Sequence, residues 1–273
     1  MTYHESIYTV RELEPGFFRI GNSGVFMDLI VGSHHALLFD TGYGFGELKA
    51  LVREITDKPL YVVNSHGHVD HACGNAQFGG AYIHPDDMEL CREHNTPEFR
   101  LLELDTAQVP MDFDLDTYLT LGPGKLKPVE EGHVFNLGGI RLEVFHFPGH
   151  TAGSIGLLCR EKGLLYVGDA MNCFVWLFLP EAQPLPVYIQ SLHKAAGLPF
   201  HYMIQSHEPI PVPRRRLLDY LDLAEHLDYE SGTIVPAPGY DGEARICTRL
   251  GLHCDRDRNH PGFAAILIAK EKL

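Results

Sequence analysis

Residues 64–71 read Asn-Ser-His-Gly-His-Val-Asp-His and place four residues with metal-binding side chains within six positions. In an extended segment alternate side chains share a face, so His66 and His68 can reach one metal ion from a single strand end. Asp70 and His71 are adjacent and cannot share that face unless the chain turns between them. A turn into a helix directs both toward a second point close to the first. The stretch therefore predicts two pairs of ligands for two neighbouring metal ions.

Two pairs of ligands leave both metal sites incomplete, because a catalytic zinc ion usually has three protein ligands and an open position. The remaining ligands are expected directly after other apolar runs, since strand ends along one sheet edge bring distant residues together. Four residues have this context: Asp40, His150, Asp169 and His207. The six cysteines include no C-x-x-C pair and are expected to be reduced thiols. Histidine and carboxylate side chains are therefore the expected ligands.

Five motifs resemble those of the metallo-β-lactamase superfamily and follow one another in the family's order. They are FDTG at 39–42, HGHVDH at 66–71, PGHTAGS at 148–154, GDA at 168–170 and SH at 206–207. The resemblance implies a mixed α/β (α+β) fold, the four-layer αββα metallo-β-lactamase sandwich. In that fold the metal ions lie at one edge of the sandwich.

The same resemblance assigns the ligands position by position. The implied ligands are His66, His68 and His150 for the first metal ion, Asp70, His71 and His207 for the second, and Asp169 as the bridge between them. The implied cofactors are two divalent metal ions, with Zn²⁺ as the first expectation and iron or manganese as alternatives. Asp40 has no ligand role in the family pattern, and we expect it to orient ligands or loops.

The implied ligand set also implies a reaction. Two metal ions about 3.5–4 Å apart lower the pKa of a shared water molecule and polarise a carbonyl or phosphoryl oxygen. Asp70 is the implied catalytic residue, because a carboxylate beside that water can accept its proton or deliver it to the leaving group. The resemblance therefore implies a binuclear metal-dependent hydrolase that attacks an ester, thioester or lactone carbonyl with a metal-bridging hydroxide.

Differences between this sequence and particular members of the family restrict the expected class of substrate. Asp169 in its GDA context resembles thioesterase, lactonase and glyoxalase II members and disfavours a true β-lactamase. Residues 208–273 read partly as strands, which disfavours the helical glutathione-binding domain of glyoxalase II. Lactonase members carry a tyrosine three residues after the bridging aspartate, where this chain has Asn172. An ester or thioester of a small acyl group is the preferred substrate. The alternatives are a phosphodiesterase of the same fold and a mononuclear iron persulfide (sulfur) dioxygenase with ligands at His66, His150 and Asp169.

Composition restricts the partners. The chain has 273 residues and a formal net charge of −14, which disfavours nucleic-acid binding because that binding depends on a basic surface. The longest apolar runs fall far short of the roughly 20 residues of a transmembrane helix, and the amino terminus lacks the features of a signal peptide. We expect a cytoplasmic enzyme that acts on a small molecule, without nucleic-acid or membrane partners. The sequence leaves a homodimer open.

The order of apolar runs predicts a single domain over 1–273, in which strands and helices alternate and strands occur near both ends. Helices are predicted at 44–55 and 214–229. The segment 96–131 has no clear period and is expected to be an excursion over the main body. Two features stay open: whether 173–179 is a pocket wall, an interface or core, and what the twelve histidines outside the ligand set do.

Overall fold

A computed structural model of the chain describes residues 7–102, 104, 109, 113–237, 240–253, 257 and 260–273. The chain divides into two compact units, Met1–Val144 and Phe145–Leu273. The expectation of a single domain over 1–273 stays a prediction. Within the described residues, every helix is too short or too polar to traverse a lipid bilayer.

The first unit is built on a seven-stranded sheet whose strands follow the order of the chain. They are β1 (Thr9–Glu14), β2 (Phe17–Asn22), β3 (Val25–Val31), β4 (Ala36–Phe39), β5 (Leu60–Val63), β6 (Gly80–Ile83) and β7 (Lys125–Pro128). Neighbours from β1 to β4 are antiparallel, and those from β4 to β7 are parallel. Every residue of β4 is buried, as expected for a strand covered on both faces. Because β4 and β5 are parallel, their carboxyl ends meet at one edge of the sheet.

Short helices connect these strands. In the described part of the first unit the α-helices are α1 (Leu48–Ile55), α2 (Val69–Ala72), α3 (Met88–His94), α4 (Pro97–Leu102) and α5 (Leu115–Thr120). Leu48 and Val52 of α1 pack into the core formed by β2, β3 and β4. The helix predicted at 44–55 begins only at Leu48, because Gly44 and Gly46 have φ angles of 82° and 63°, which no right-handed helix accommodates.

Two further sheets complete the architecture. Their strands are β8 (Val134–Asn136), β9 (Arg141–His146), β10 (Ile155–Cys159), β11 (Leu164–Gly168), β12 (Val175–Leu177), β13 (Tyr202–Gln205), β14 (Val212–Pro213), β15 (Thr233–Val235), β16 (Ala244–Thr248) and β17 (Ala265–Ala269). One sheet has the order β14-β13-β11-β10-β9-β8, with the unit boundary inside β9, and the other has the order β12-β17-β16-β15. Strands β11 and β13 are parallel, so both end at the same edge.

Helices α6 (Leu185–Ala196) and α7 (Arg215–Glu225) pack into the core of the second unit. Tyr188 and Tyr220, one from each helix, are among its largest buried side chains. The helix predicted at 214–229 ends early, at Glu225, and in the chain beyond it Asp228 Oδ1 accepts the N–H groups of Glu230 at 3.1 Å and Ser231 at 3.4 Å. Such local bonds satisfy the backbone outside a helix.

The segment 96–131 is only in part the excursion that the sequence predicts. It contains α4 and α5, and β7 joins the edge of the seven-stranded sheet through parallel pairing with β6. Tyr118 of α5 packs 5.2 Å from the Phe45 ring, and its hydroxyl donates to the Tyr43 carbonyl at 3.0 Å. These elements are too short to show a hydrophobic period. Residues 103, 105–108 and 110–112 lie outside the described residues.

Arg100 is fully buried and ties α4 to the chain that follows α2. Its guanidinium donates to the carbonyl oxygens of Cys73 at 3.0 Å and Asn95 at 3.3 Å, and lies 4.6 Å over the Tyr118 ring. Arg100→Met keeps most of the side-chain volume but removes both donors. We expect the free energy of unfolding to fall by roughly 2–4 kcal/mol in a denaturant titration. The exposed Arg92→Met in α3 should change it by less than about 0.5 kcal/mol, and equal losses would contradict the role of the buried donors.

Candidate functional site

The predicted ligands are distributed over both units, and each group is described within its own unit. In the first unit they lie where β4 and β5 end. Phe39 and Val63 are register partners, and the Asp40 N–H donates to the Val63 oxygen at 2.8 Å. The Ser65 N–H in turn donates to Asp40 Oδ1 at 2.7 Å. Parallel pairing thus places Asp40 directly beside the residue that precedes His66.

His66, His68 and His71 form a buried group at this edge, called here the histidine group. The ring centroid of His66 lies 4.6 Å from that of His68 and 4.1 Å from that of His71. The chain is extended at His68 and enters α2 at Val69, which is the turn into a helix that the sequence requires. Asp70 Oδ2 lies 3.3 Å from His71 Nε2. The first unit therefore brings four of the predicted ligands together.

Asp40 fixes the orientation of two of these imidazoles. Its Oδ2 lies 3.0 Å from His71 Nδ1 and accepts the Ser65 hydroxyl at 2.8 Å. Ser65 Oγ also lies 2.9 Å from His66 Nδ1. Because a carboxylate only accepts and the single Ser65 proton goes to Asp40, this network assigns a proton to Nδ1 of both histidines. Their Nε2 atoms then carry the lone pairs that bind a metal ion.

The backbone around the histidine group adopts conformations that few residue types allow. Asp40 has a φ of 67°, a left-handed conformation that Asp and Asn tolerate better than other side chains. At Gly67 a Cβ atom would lie 2.8 Å from the Cys91 nitrogen and 2.9 Å from the Asp87 oxygen. Only glycine permits that approach of two backbone segments. The residue between His66 and His68 is thus determined by packing.

In the second unit, Asp169 and His207 follow the parallel strands β11 and β13. His207 Nε2 lies 3.2 Å from Asp169 Oδ2. The Ser206 N–H donates to the Gly168 oxygen at 3.4 Å, which continues the pairing of the two strands beyond their ends. Parallel strands that end together therefore bring Asp169, the predicted bridge, into contact with the last histidine of the predicted set.

His150 follows β9, and a backbone carbonyl of β12 orients its imidazole. It is buried, and its Nδ1 lies 3.0 Å from the carbonyl oxygen of Trp176 in β12. A carbonyl oxygen only accepts, so Nδ1 carries the proton and Nε2 carries the lone pair. This contact resembles the backbone hydrogen bond that commonly fixes a metal-binding histidine.

The donor set suits a divalent metal ion of the zinc type. Neutral imidazole nitrogen and carboxylate oxygen are the ligands that zinc, iron and manganese share. For three of the five histidines the Nδ1 partner leaves Nε2 as the ligand atom: His66, His71 and His150. The number of metal ions, their identity and the assignment of ligands to each ion stay predictions.

Sequence reasoning missed two parts of this arrangement. Ser65 connects Asp40 to His66, and its only signal was a hydroxyl side chain at a strand end before the first histidine. The Trp176 carbonyl left no signal, because every residue has a carbonyl. Trp176 lies in the open segment 173–179, where Val175 and Leu177 are core residues of β12 and the Trp176 side chain is 38% exposed. His146 is outside the ligand set, and its Nε2 lies 2.9 Å from the Ala152 carbonyl oxygen.

Comparison with known proteins places these residues in a family pattern. A family model for the metallo-beta-lactamase superfamily matches residues 23–207. That range includes every predicted ligand from His66 to His207.

Two curated relatives are similar over part of their length. The human acyl-coenzyme A thioesterase MBLAC2 is 28% identical over 184 residues, which cover 58% of this chain and 62% of that protein. A hydroxyacylglutathione hydrolase from Mesorhizobium japonicum is 30% identical over 129 residues, which cover 47% of this chain and 50% of that protein. The matched regions thus span between half and two thirds of these relatives.

Solved structures show the fold. A metallo-beta-lactamase family protein from Thermus thermophilus superposes with a TM-score of 0.55 at 20% identity, over 78% of this chain and 81% of that one. The mixed α/β metallo-β-lactamase fold that the motifs predict is thereby confirmed.

Proposed function

Because the chain belongs to the metallo-beta-lactamase superfamily, we propose that it is a binuclear metal-dependent hydrolase that cleaves thioesters of small acyl groups. The observation that carries the proposal is the histidine group, in which Asp40 and Ser65 leave the Nε2 atoms of His66 and His71 as ligand atoms. A hydrogen bond to Nδ1 is the arrangement that commonly orients a histidine whose Nε2 binds a metal ion.

In the proposed centre the ligands of both units act together. As the family resemblance implies, His66, His68 and His150 would hold one ion, Asp70, His71 and His207 would hold the other, and Asp169 would be shared. Two divalent ions, for which zinc is the first choice, supply a nucleophilic hydroxide at neutral pH and polarise the carbonyl under attack. The second unit contributes His207 already in contact with Asp169, which supports their sharing one ion.

Asp70 is the residue proposed to move protons. Its side chain is 18% exposed, whereas His71 beside it is fully buried. A carboxylate that reaches solvent from the first turn of α2 can accept a proton from a nucleophilic water and return it to the leaving thiolate. Asp40 is fully buried and its Oδ2 lies against His71 Nδ1, so its proposed role is to hold His71.

The thioester class follows from the relatives and from the tail of the chain. One curated relative is named an acyl-coenzyme A thioesterase, and we transfer the class of bond, not the particular thiol. The described residues after His207 form α7 and four short strands, three of them in a sheet with β12. These strands follow His207, where glyoxalase II members carry a helical glutathione-binding domain, so the proposed thiol is one other than glutathione. Asn172, at the tyrosine position of lactonase members, supports a thioester over lactone opening.

Metal analysis followed by a substrate panel tests the proposal. Protein purified without added metal should contain about two zinc ions per chain and hydrolyse acyl thioesters. It should act on lactones and phosphodiesters at least about 100-fold more slowly, a ratio that corresponds to roughly 3 kcal/mol of transition-state binding. One iron per chain with oxygen uptake on a persulfide would replace the proposal with the dioxygenase alternative. Dominant phosphodiester hydrolysis would replace it with the phosphodiesterase.

A further inference from the structure

A cavity of about 230 Å³ lies in the second unit, beside the two ligands that follow β11 and β13. Asn172 and Cys173, which line it, come three and four residues after Asp169, and Asn172 Nδ2 lies 3.4 Å from Asp169 Oδ2. Gln205 and Glu208, on its other side, flank His207. The residues that line this cavity, here called the Cys173 cavity, are therefore continuous with the candidate metal ligands of the same unit.

The lining of the Cys173 cavity combines polar side chains with an apolar part. One wall is the run Ile210–Pro213, and Phe263 forms another, with the Phe174 ring packed edge-on to it at 5.9 Å. Tyr220 closes the base, where its hydroxyl donates to the carbonyl oxygens of Asn172 and Cys173. Burial raises the pKa of this hydroxyl well above its usual value, so it stays a donor.

The charges at the Cys173 cavity balance each other. Arg216 and Glu208 both line the cavity. The arginine lowers the pKa of the Tyr220 hydroxyl and the glutamate raises it. The Arg216 guanidinium also donates to the Phe263 carbonyl. An anionic group in the cavity would meet the Glu208 carboxylate as well as the arginine, so the lining favours an uncharged occupant.

The volume restricts the size of that occupant. Drug-sized ligands occupy cavities of roughly 300–1,000 Å³, and a water-sized group takes about 30 Å³ of liquid volume. At that volume per group, a cavity of about 230 Å³ accommodates ~8 non-hydrogen atoms. Building on the proposed thioesterase function, we propose that the Cys173 cavity binds the acyl chain of the substrate and selects short, uncharged acyl groups of about six carbons.

The first test is a series of thioesters of one thiol with acyl chains from acetyl to hexadecanoyl. Each buried methylene contributes about 4-fold, so kcat/KM should rise by at least about 10-fold from acetyl to hexanoyl. Beyond octanoyl it should stop rising or fall. Ile210→Trp, which fills the cavity, should bring the hexanoyl-to-acetyl ratio close to one. Ile234→Trp makes the same change on exposed β15 and should leave the ratio unchanged, since Ile210 and Ile234 are 52% and 58% exposed.

The second test does not depend on catalysis. Among the described cysteines, Cys173 is partly exposed and the others are buried. Its alkylation by iodoacetamide, followed by peptide mass mapping, should be slowed at least about 5-fold by hexanamide and not by acetamide. Ile210→Trp should abolish that protection, in metal-depleted as in metal-loaded protein.

The outcomes separate the two proposals. Absence of thioester hydrolysis together with protection of Cys173 by hexanamide would overturn the proposed function and leave the cavity as a short-chain binding site. Thioester hydrolysis whose chain-length dependence is unaffected by Ile210→Trp would overturn the cavity assignment. So would equal protection of Cys173 by hexanamide and acetamide.

Discussion

Replacing His68 with alanine is expected to lower the metal content to about one ion per chain and to reduce thioester hydrolysis by about 10³-fold. The physical reason is that His68 lies in the histidine group beside His66, so its loss leaves one ion with two proposed histidine ligands and the shared Asp169. Metal ions supply several kcal/mol of transition-state stabilisation, and each 1.36 kcal/mol corresponds to a tenfold change in rate. Elemental analysis and a thioester assay on the same preparation measure both effects.

The control for this experiment is another histidine of the same protein. The His226 side chain is 75% exposed and contacts Asp222 in its own helix, away from the predicted ligands. His226→Ala should therefore keep both metal ions and nearly full activity. If His68→Ala also retained two ions and full turnover, the assignment of the histidine group as a metal centre would be wrong. Circular dichroism of both variants verifies that they fold.

Asp40→Asn is expected to weaken metal binding by 10–100-fold without unfolding the protein. The carboxylate accepts the Ser65 N–H, the Ser65 hydroxyl and the His71 Nδ1 proton through two oxygens. An asparagine has one oxygen and one NH₂ group, so at least one of these donors faces another donor, and the hydrogen-bond network that orients His71 is weakened. Loss of the hydrogen-bond partner that orients a metal-binding histidine typically lowers the affinity for the metal ion by this factor. Competition with a chromophoric chelator measures it.

Asp40→Ala separates the electrostatic role of Asp40 from its backbone role. Asparagine tolerates the left-handed φ of 67°. Alanine in this conformation is destabilised by about 1–2 kcal/mol, and it also removes both oxygen acceptors of the carboxylate. The free energy of unfolding of Asp40→Ala should thus be roughly 2–5 kcal/mol below that of the natural protein, and that of Asp40→Asn should be closer to it. The exposed Asp57→Asn provides the matched control in the same unit. Metal affinity unchanged in Asp40→Asn would show that this carboxylate does not orient the ligands.

The sequence by itself specified the parts of the molecule that depend on local pattern. Strand β5, the turn at His68 and the start of α2 follow from the alternation of side chains and the spacing of residues 64–71. The position of Asp169 and His207 directly after apolar runs predicted their contact, because parallel strands end together. Asp40 was expected to orient ligands, and the structure places its carboxylate against His71.

Only the tertiary structure decided the features that depend on backbone groups and on distant packing. The Trp176 carbonyl orients the His150 imidazole from 26 positions away in the sequence. Every residue has a backbone carbonyl, so the residue type at position 176 does not predict this contact. Short elements such as β7 are extended because they pair with the edge strand of a sheet. Their own sequence is too short to show a hydrophobic periodicity. The Cys173 cavity is lined by residues from 172 to 263 that become neighbours only in the fold. Local spacing therefore determined which side chains can bind metal, whereas long-range packing determined how they are oriented and what lies beside them.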